Sequence, residues 1–484
     1  MSQTNLTPTE KRMASEDLKK LVLMYSIPTV IGMLVNGLYN VVDRFWVGRI
    51  PGIGEEALAG IGLCMPIMTV GMAVSMLVGI GAATRISISL GRGERDKAEK
   101  ILGQGLSMII FFAVILTVLG LIFKRPLIAA FIGGENESTA ATLGYADEYI
   151  TIIISGLTAS LMSFGMNHPI RATGNPKRFA STQLLGAITN IILDPVFIFV
   201  FDMGVAGAAL ATIISQCASC LWVMSYYFSK DPALRLKLAN LRPRLDIIAE
   251  ICSIGVSPFL MQAAASIVQV VVNYSLAYYG RLDTGSESLA ISAMLIINSV
   301  TMFVLMPIFG INQGTQPIIG FNYGRKDYRR VKTAFRWSVV YCMIICSAGF
   351  IGIMLFASQL VALFTGSSGP GGESRQLITL GTHGMRISQA ALLTVGFLSP
   401  TLNFIQSIGR AKMSIILNML RQVIIMIPAL ILLPMFFGLD GIWFATPAAD
   451  IIAFVVGVAF LVREFRKLKP EAPDTLGTPV PEER

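Results

Sequence analysis

Three carboxylates lie well inside apolar stretches of this sequence: Asp43, Asp194 and Asp450. If those stretches cross a bilayer, each charge costs at least ~2.5–3.5 kcal/mol, so such residues face a cavity, find a partner or mark a pathway. Asp43 stands six residues before Arg49, Asp194 eight before Asp202, and Thr212 eight after Gly204. At the rise of a helix these offsets put all three ~9–12 Å below one surface. Asn190 precedes Asp194 by one turn and shares its helix face. Two carboxylates, an amide oxygen and a hydroxyl are the hard donors with which a monovalent cation replaces its hydration shell. The same pair could hold a proton, since neutralising one of two desolvated like charges relieves both repulsion and desolvation. The bland alternative is that Asn190 and Asp194 only hydrogen-bond neighbouring helices.

Asp450 reads differently. It lies about ten residues into the last apolar run, and Arg421 lies a similar distance into the preceding run from the opposite surface. A structural ion pair near the midplane is expected, with a coupling role as the alternative and Arg386 as a second partner.

The elements that carry these residues are membrane spans. The chain of 484 residues is 54% hydrophobic and 14% charged, where a soluble globular protein has roughly a quarter of its residues charged. Its mean hydropathy is +0.67. Runs long enough to cross a hydrocarbon core of ~30 Å fall at about 21–48, 57–83, 99–123, 143–168, 179–201 and 205–228. Six more follow at about 251–279, 288–312, 333–357, 382–404, 412–437 and 440–462, with 143–168 and 382–404 the least clean.

The six-plus-six pattern is a duplication. Gly79, Ile80, Thr84, Ile88, Gly93 and Asp96 recur at one constant spacing as Gly310, Ile311, Thr315, Ile319, Gly324 and Asp327. Pro28 is answered by Pro258, and Gly204, Gly207, Ala211 and Thr212 by Gly438, Gly441, Ala445 and Thr446. The repeat would put Asn273 where the first half has Asp43, so one half kept acids that the other lacks. A period this long marks duplicated domains rather than a solenoid. An even number of spans per half makes the halves parallel repeats about an axis along the membrane normal. The expected fold is therefore all-α and integral to the membrane, with 12 transmembrane helices in two homologous six-helix bundles. Its segments are residues 1–20 as a cytoplasmic N-terminal segment, 21–228 and 251–465 as the two lobes, 229–250 as a linker and 466–484 as a tail.

Basic residues set the orientation. The loops on the side of the N-terminus carry clusters such as Arg92, Arg95, Lys97 and Lys100, then Arg171, Lys177 and Arg178, and again Arg325, Lys326, Arg329 and Arg330. The opposite loops offer Arg49, Lys124, Arg125, Arg281 and Arg375. Both termini are expected in the cytoplasm and the protein in the cell membrane. This asymmetry accounts for the net charge of +9, so no nucleic-acid partner is expected. The leading twenty residues are polar and the apolar run after them is too long for a signal peptide, so no cleaved segment is expected. Six cysteines without metal-ligand spacing read as small core residues, and two histidines are too few for the usual metal or triad constellations. No cofactor is expected, and an intramembrane enzyme lacks a catalytic set.

The cavity wall is expected from Met33, Asn36, Tyr39 and Asn40 on the first span, Met65, Met68 and Met72 on the second, and Gln262 and Asn273 on the seventh. A methionine stripe is commonly packing, but its soft surface would also suit promiscuous binding. Gly71, Ser75 and Gly79 would allow close helix contact. Pro28 and Pro258 would supply paired bends near the cytoplasmic entrance.

The first-span stretch "NGLYNVVDRFWVG", the fifth-span "TNIILDP", the "GVAGAALATIISQ" opening of the sixth span and the repeated Gly-Arg-acidic loop resemble the multidrug and toxic compound extrusion family. The likeness covers about residues 15 to 465. It implies a V-shaped pair of bundles around a cleft, alternating between faces and exchanging an incoming Na⁺ or H⁺ for an outgoing organic compound, often cationic or amphipathic. It also implies that the cation site is Asp43, Asn190, Asp194 and Thr212, and the partners small organic molecules and membrane lipids; a monomer is expected. Some branches of that family carry carboxylates in the second lobe; here the polar residues there include Gln262, Gln269, Asn273 and Asn298, which puts a second cation site in doubt. A flippase for lipid-linked saccharides from the same superfamily is the alternative, although its polyanionic cargo would call for more intramembrane cations than Arg421 and Arg386.

Overall fold

The computed structural model describes residues 6–132, 137–229, 232–365 and 372–468. The first half consists of α1 (Pro8–Ser15), α2 (Leu18–Val47), α3 (Gly54–Arg92), α4 (Arg95–Ile132), α5 (Glu137–Ser155), α6 (Leu157–Ala172), α7 (Pro176–Pro195) and α8 (Gly204–Tyr227). The second comprises α9 (Leu245–Thr284), α10 (Glu287–Gly324), α11 (Tyr328–Thr365), α12 (Gly372–Ser388), α13 (Leu392–Ser407), α14 (Ala411–Met419), α15 (Met426–Phe437) and α16 (Leu439–Lys467). Ten single helices are long and apolar enough to cross a membrane, and α5 with α6, bent by 55° at their junction, makes an eleventh crossing. α12 and α13 take the equivalent place in the second half, interrupted at residues 389–391. The two least clean apolar runs are thus the two broken spans. Both halves share the order of six crossings, and the fold is the duplicated all-helical bundle expected of the sequence.

Local chemistry explains the boundaries. Asn175 accepts the Arg178 amide at 3.2 Å and Pro176 follows at the first helical position, which starts α7. Wide turns, Val196–Val200 after α7 and Leu420–Ile425 between α14 and α15, interrupt the fifth crossing of each half. α2 and α9 continue as helices through Pro28 and Pro258.

The leading segment is more structured than its polarity suggests. A capping box, in which Thr7 and Glu10 satisfy each other's backbone amides, closes α1 and buries Met13. The Met13 carbonyl then accepts from Asn322 at 3.1 Å, which ties α1 to α10 in the other half. The expected linker is likewise held down: Gln104 on α4 donates to the Asn240 and Arg242 carbonyls, both at 2.6 Å, and α9 already starts at Leu245. The tail beyond residue 468 lies outside the described residues.

The halves meet at the ends of α2, α3, α9 and α10 that carry the basic loops. Thr29 donates to the Gly310 carbonyl at 2.6 Å, and the backbone of α10 at Gly310 and Gly314 lies directly against Val30 and Ser26 of α2. Gly81 of α3 faces the Ile251 carbonyl of α9, and Gly255 faces the Leu77 carbonyl. Glu250 on α9 takes Lys97 at 3.0 Å and Arg85 at 4.0 Å from the first half. Toward the opposite surface the inner helices present exposed polar residues: Asn40 on α2, and Ser266, Gln269 and Asn273 on α9. The lipid-facing stripe of α2 is distinct, running through Ile27, Ile31, Leu34, Leu38, Val41 and Phe45. A polar exposed stripe beside a separate apolar one marks a water-filled cleft between the halves, because hydrocarbon would leave the amides unsatisfied.

Candidate functional site

α7 supplies the centre of the site. Asn190 and Asp194, one turn apart and both fully buried, point the same way, and the Asn190 amide donates to Asp194 Oδ1 at 3.0 Å. The same amide lies 3.4 Å from Thr212 Oγ1 on α8. α8 is held close there because Gly207 faces the Phe197 carbonyl in the wide turn that follows Asp194, where a Cβ would collide. From α2, Asp43 comes close enough to Asp194 for the two carboxylates to act on each other. Edge-on packing of Trp46 against Phe199 pins α2 to the same wide turn, with ring centres 6.0 Å apart.

The four residues therefore come from three helices into one neighbourhood, and their oxygens are left over. Asp43 Oδ1, Asp194 Oδ2 and Asn190 Oδ1 are all buried and have no hydrogen-bond partner among the described residues. Leaving a buried acceptor unsatisfied costs about 1–3 kcal/mol, and more for a charged one. Three such oxygens beside a hydroxyl suit a bound cation, or a proton shared between the carboxylates. Carboxylate, amide and hydroxyl oxygens are hard donors, which match a hard cation better than a soft transition metal.

Tyr39, one turn before Asp43, places its hydroxyl against Thr212. Tyr149 on α5 is buried close to both carboxylates; no sequence signal marks it, because α5 belongs to a broken span whose register could not be read.

The expected cavity wall divides. Asn36 donates to Gln183 of α7 at 3.4 Å and Asn40 to the Asn36 carbonyl at 2.7 Å, so Asn36 faces α7 about two turns along α2 from Asp43. Met33 lies at the closed seam, 3.7 Å from the Gln313 amide. Met68 lines a separate apolar cavity of about 490 Å³ among α3, α4, α5 and α6, while Met65 is half-buried and Met72 exposed. Gln262 is half-buried on α9, and exposed Asn273 accepts from Gln269 on its own helix at 2.8 Å. Gly71 and Gly79 face Leu157 and Gly165, so the small-residue pattern packs α3 on α6.

Arg421 Nε meets Asp450 Oδ1 at 2.6 Å; Arg386 is exposed and takes no part in this pair. Arg171, counted above among the loop cations, is instead 1% exposed at the end of α6. Its guanidinium donates across the seam to Gln313 at 2.9 Å and Gln316 at 2.7 Å on α10, beside His168 Nδ1 at 3.3 Å. The polar run that follows it in the sequence disguised this burial.

A duplicated helical membrane bundle with an intramembrane oxygen-donor site on one half defines a multi-pass transport protein. The MatE family model matches residues 28–196 and 259–432, one copy per half, and the chain belongs to that family. It is similar to the multidrug export protein MepA of Staphylococcus saprophyticus, 26% identical over 449 residues, spanning 92% of this chain and 94% of the relative. MepA of Staphylococcus aureus strain MRSA252 gives the same identity and coverage. Among solved structures, an outward-facing multidrug resistance MATE family transporter of the MOP superfamily superposes with a TM-score of 0.86 at 25% identity, covering 96% of this chain and 100% of that one. A MOP superfamily transporter from Pyrococcus furiosus, described as having a binding pocket of reverse polarity, gives 0.87 at 25% identity with the same coverage.

Proposed function

We propose that this protein is a cation-coupled antiporter of the cell membrane, with both termini cytoplasmic, that exports organic compounds, often cationic or amphipathic, as a monomer. Asp43, Asn190, Asp194 and Thr212 hold the incoming Na⁺ or H⁺. The observation that carries the reading is the set of three buried, unpartnered oxygens on Asp43, Asn190 and Asp194. The names of the relatives, multidrug export proteins at 26% identity over nearly the whole chain, support the cargo class.

The architecture supports alternating access. With the basic loops in the cytoplasm, the seam closes the inner side and the cleft opens outward. α2 carries Asp43 near one end and the seam contact of Thr29 with Gly310 near the other, so one rigid element joins the ion site to the closure. An ion drives a change of face only through unequal affinity for the two forms. A cationic substrate and the coupling ion draw on the same two carboxylates, so binding of one opposes the other.

The test is efflux of a fluorescent organic cation from proteoliposomes under a Na⁺ gradient or a pH gradient imposed separately. One of the two should drive uphill transport. If neither does, the antiport reading is wrong.

A further inference from the structure

The second half carries a charge arrangement of its own on α9, α14 to α15, and α16, the elements that repeat α2, α7 and α8. Where the first half has two acids, these helices hold Arg421 against Asp450. Asp450 is almost fully covered, with 6% of its side chain exposed, but a third of the Arg421 side chain, 33%, is open. The bond to Asp450 uses only Nε. Among the described residues the two Nη groups take no acceptor, and neither is among the buried unpartnered atoms, so the flat edge of the guanidinium is both free and accessible.

An open guanidinium at membrane depth is satisfied by water and not by hydrocarbon, which places that edge on the cleft. On α14 the lipid-facing residue is Ile416, whereas Ser414 and Asn418 bond Ser257 of α9 at 2.7 and 2.9 Å. Arg421 follows Asn418 by three residues, at the start of the wide turn, and its bond to Asp450 turns it toward α16. Gln262 follows Ser257 by five residues on α9, so at about 1.5 Å per residue Arg421 and Gln262 lie within a turn of each other in depth. Gln262 begins the stripe that continues through Ser266, Gln269 and Asn273.

We propose that Arg421, oriented by Asp450, is a substrate subsite in the second half that takes a carboxylate or a similar planar oxyanion of the transported compound. The guanidinium fork offers two parallel N–H donors, which match a carboxylate in bidentate geometry. Asp450 neutralises the pair overall, so a compound lacking an anion is not repelled. The transporter would then accept amphiphiles bearing an amine and an acid as well as simple cations, with the amine toward Asp43 and Asp194 and the acid toward Arg421. This rests on the export reading above.

The experiment uses two dyes that differ at one group: rhodamine 123, a methyl ester cation, and rhodamine 110, the corresponding free acid. Their affinities for the purified full chain in nanodiscs are measured by fluorescence anisotropy. In the unmodified protein the acid should bind at least as tightly as the ester. In Arg421→Met/Asp450→Leu, which removes both charges together and so leaves neither buried alone, the ratio of acid to ester affinity should fall about tenfold or more, the worth of a charge-assisted bond. An unchanged ratio in that variant overturns the proposal. So does a wild-type protein that binds the ester and rejects the acid, a result that needs no variant to fold. A protein that binds neither dye tells against the export reading itself.

Discussion

Asp194 accepts the Asn190 amide on one carboxylate oxygen and, among the described residues, leaves the other without a partner, near a second acid that is no better satisfied. A cation or a proton would complete such an arrangement and offset its cost. Asp43→Asn and Asp194→Asn should therefore each reduce ion-driven efflux to the level of empty liposomes while leaving thermal stability unchanged or raised, as read by melting of the purified protein. A variant that pumps at the wild-type rate removes that residue from the coupling set. The neighbourhood of these residues was legible in the sequence, because offsets from the span ends and a known rise fix their depth. Tyr149 was not legible, since a bend intervenes between it and the nearest readable boundary. The Arg421 and Asp450 pair belongs to the same scale. Asp450→Leu should lower stability by about 1–3 kcal/mol, less than the ~3–5 kcal/mol of a wholly buried pair because Arg421 keeps access to the cleft. Adding Arg421→Met should recover much of the loss in a double-mutant cycle. Additive losses would mean that the two charges do not support each other.

At the scale of elements, the seam depends on residues without side chains. The close approach of α3 to α9 rests on Gly81 against the Ile251 carbonyl and Gly255 against the Leu77 carbonyl, contacts with backbone that cannot swing aside. Gly255→Val should force these helices apart at the basic-loop end. Overpacking of ~1–3 kcal/mol shifts a two-state balance by roughly 5- to 150-fold. Hydrogen–deuterium exchange should then rise across residues 81–92 and 250–258, while the outer end of α2, residues 36–47, becomes more protected. Unaltered exchange would show that the seam tolerates the bulk. The repeat of Gly79 to Asp96 in Gly310 to Asp327 announced that these segments are equivalent, and in the structure they line the two sides of the seam. What the repeat could not announce is the asymmetry of the fifth crossings: the wide turn follows Asp194 in the first half but contains Arg421 in the second, because local insertions leave the hydrophobic pattern unchanged.

For the molecule as a whole, the question is what balances the two faces, and Arg171 is the group most sensitive to the answer. It is buried at the seam between halves and, among the described residues, has no carboxylate partner. Opening the seam would return its guanidinium to water, so its desolvation burdens only the closed form, an effective penalty of several kcal/mol. Two bonds from the opposite half, to Gln313 and Gln316, offset this at ~1.5–3 kcal/mol each. The opposing contributions are of similar size, so Arg171 with its two acceptors favours neither form strongly, and removing the acceptors alone should tip it toward the open one. The charge and its acceptors can be separated experimentally. Gln313→Leu/Gln316→Leu removes the compensation and keeps the cation, so the seam should open: exchange should rise at residues 79–91 and fall at 36–47 and 262–278. Adding Arg171→Met then removes the uncompensated charge and should return the pattern toward that of the unmodified protein. If the triple variant opens further instead, the amides close the seam through packing alone, and the buried charge does not set the balance between the two faces.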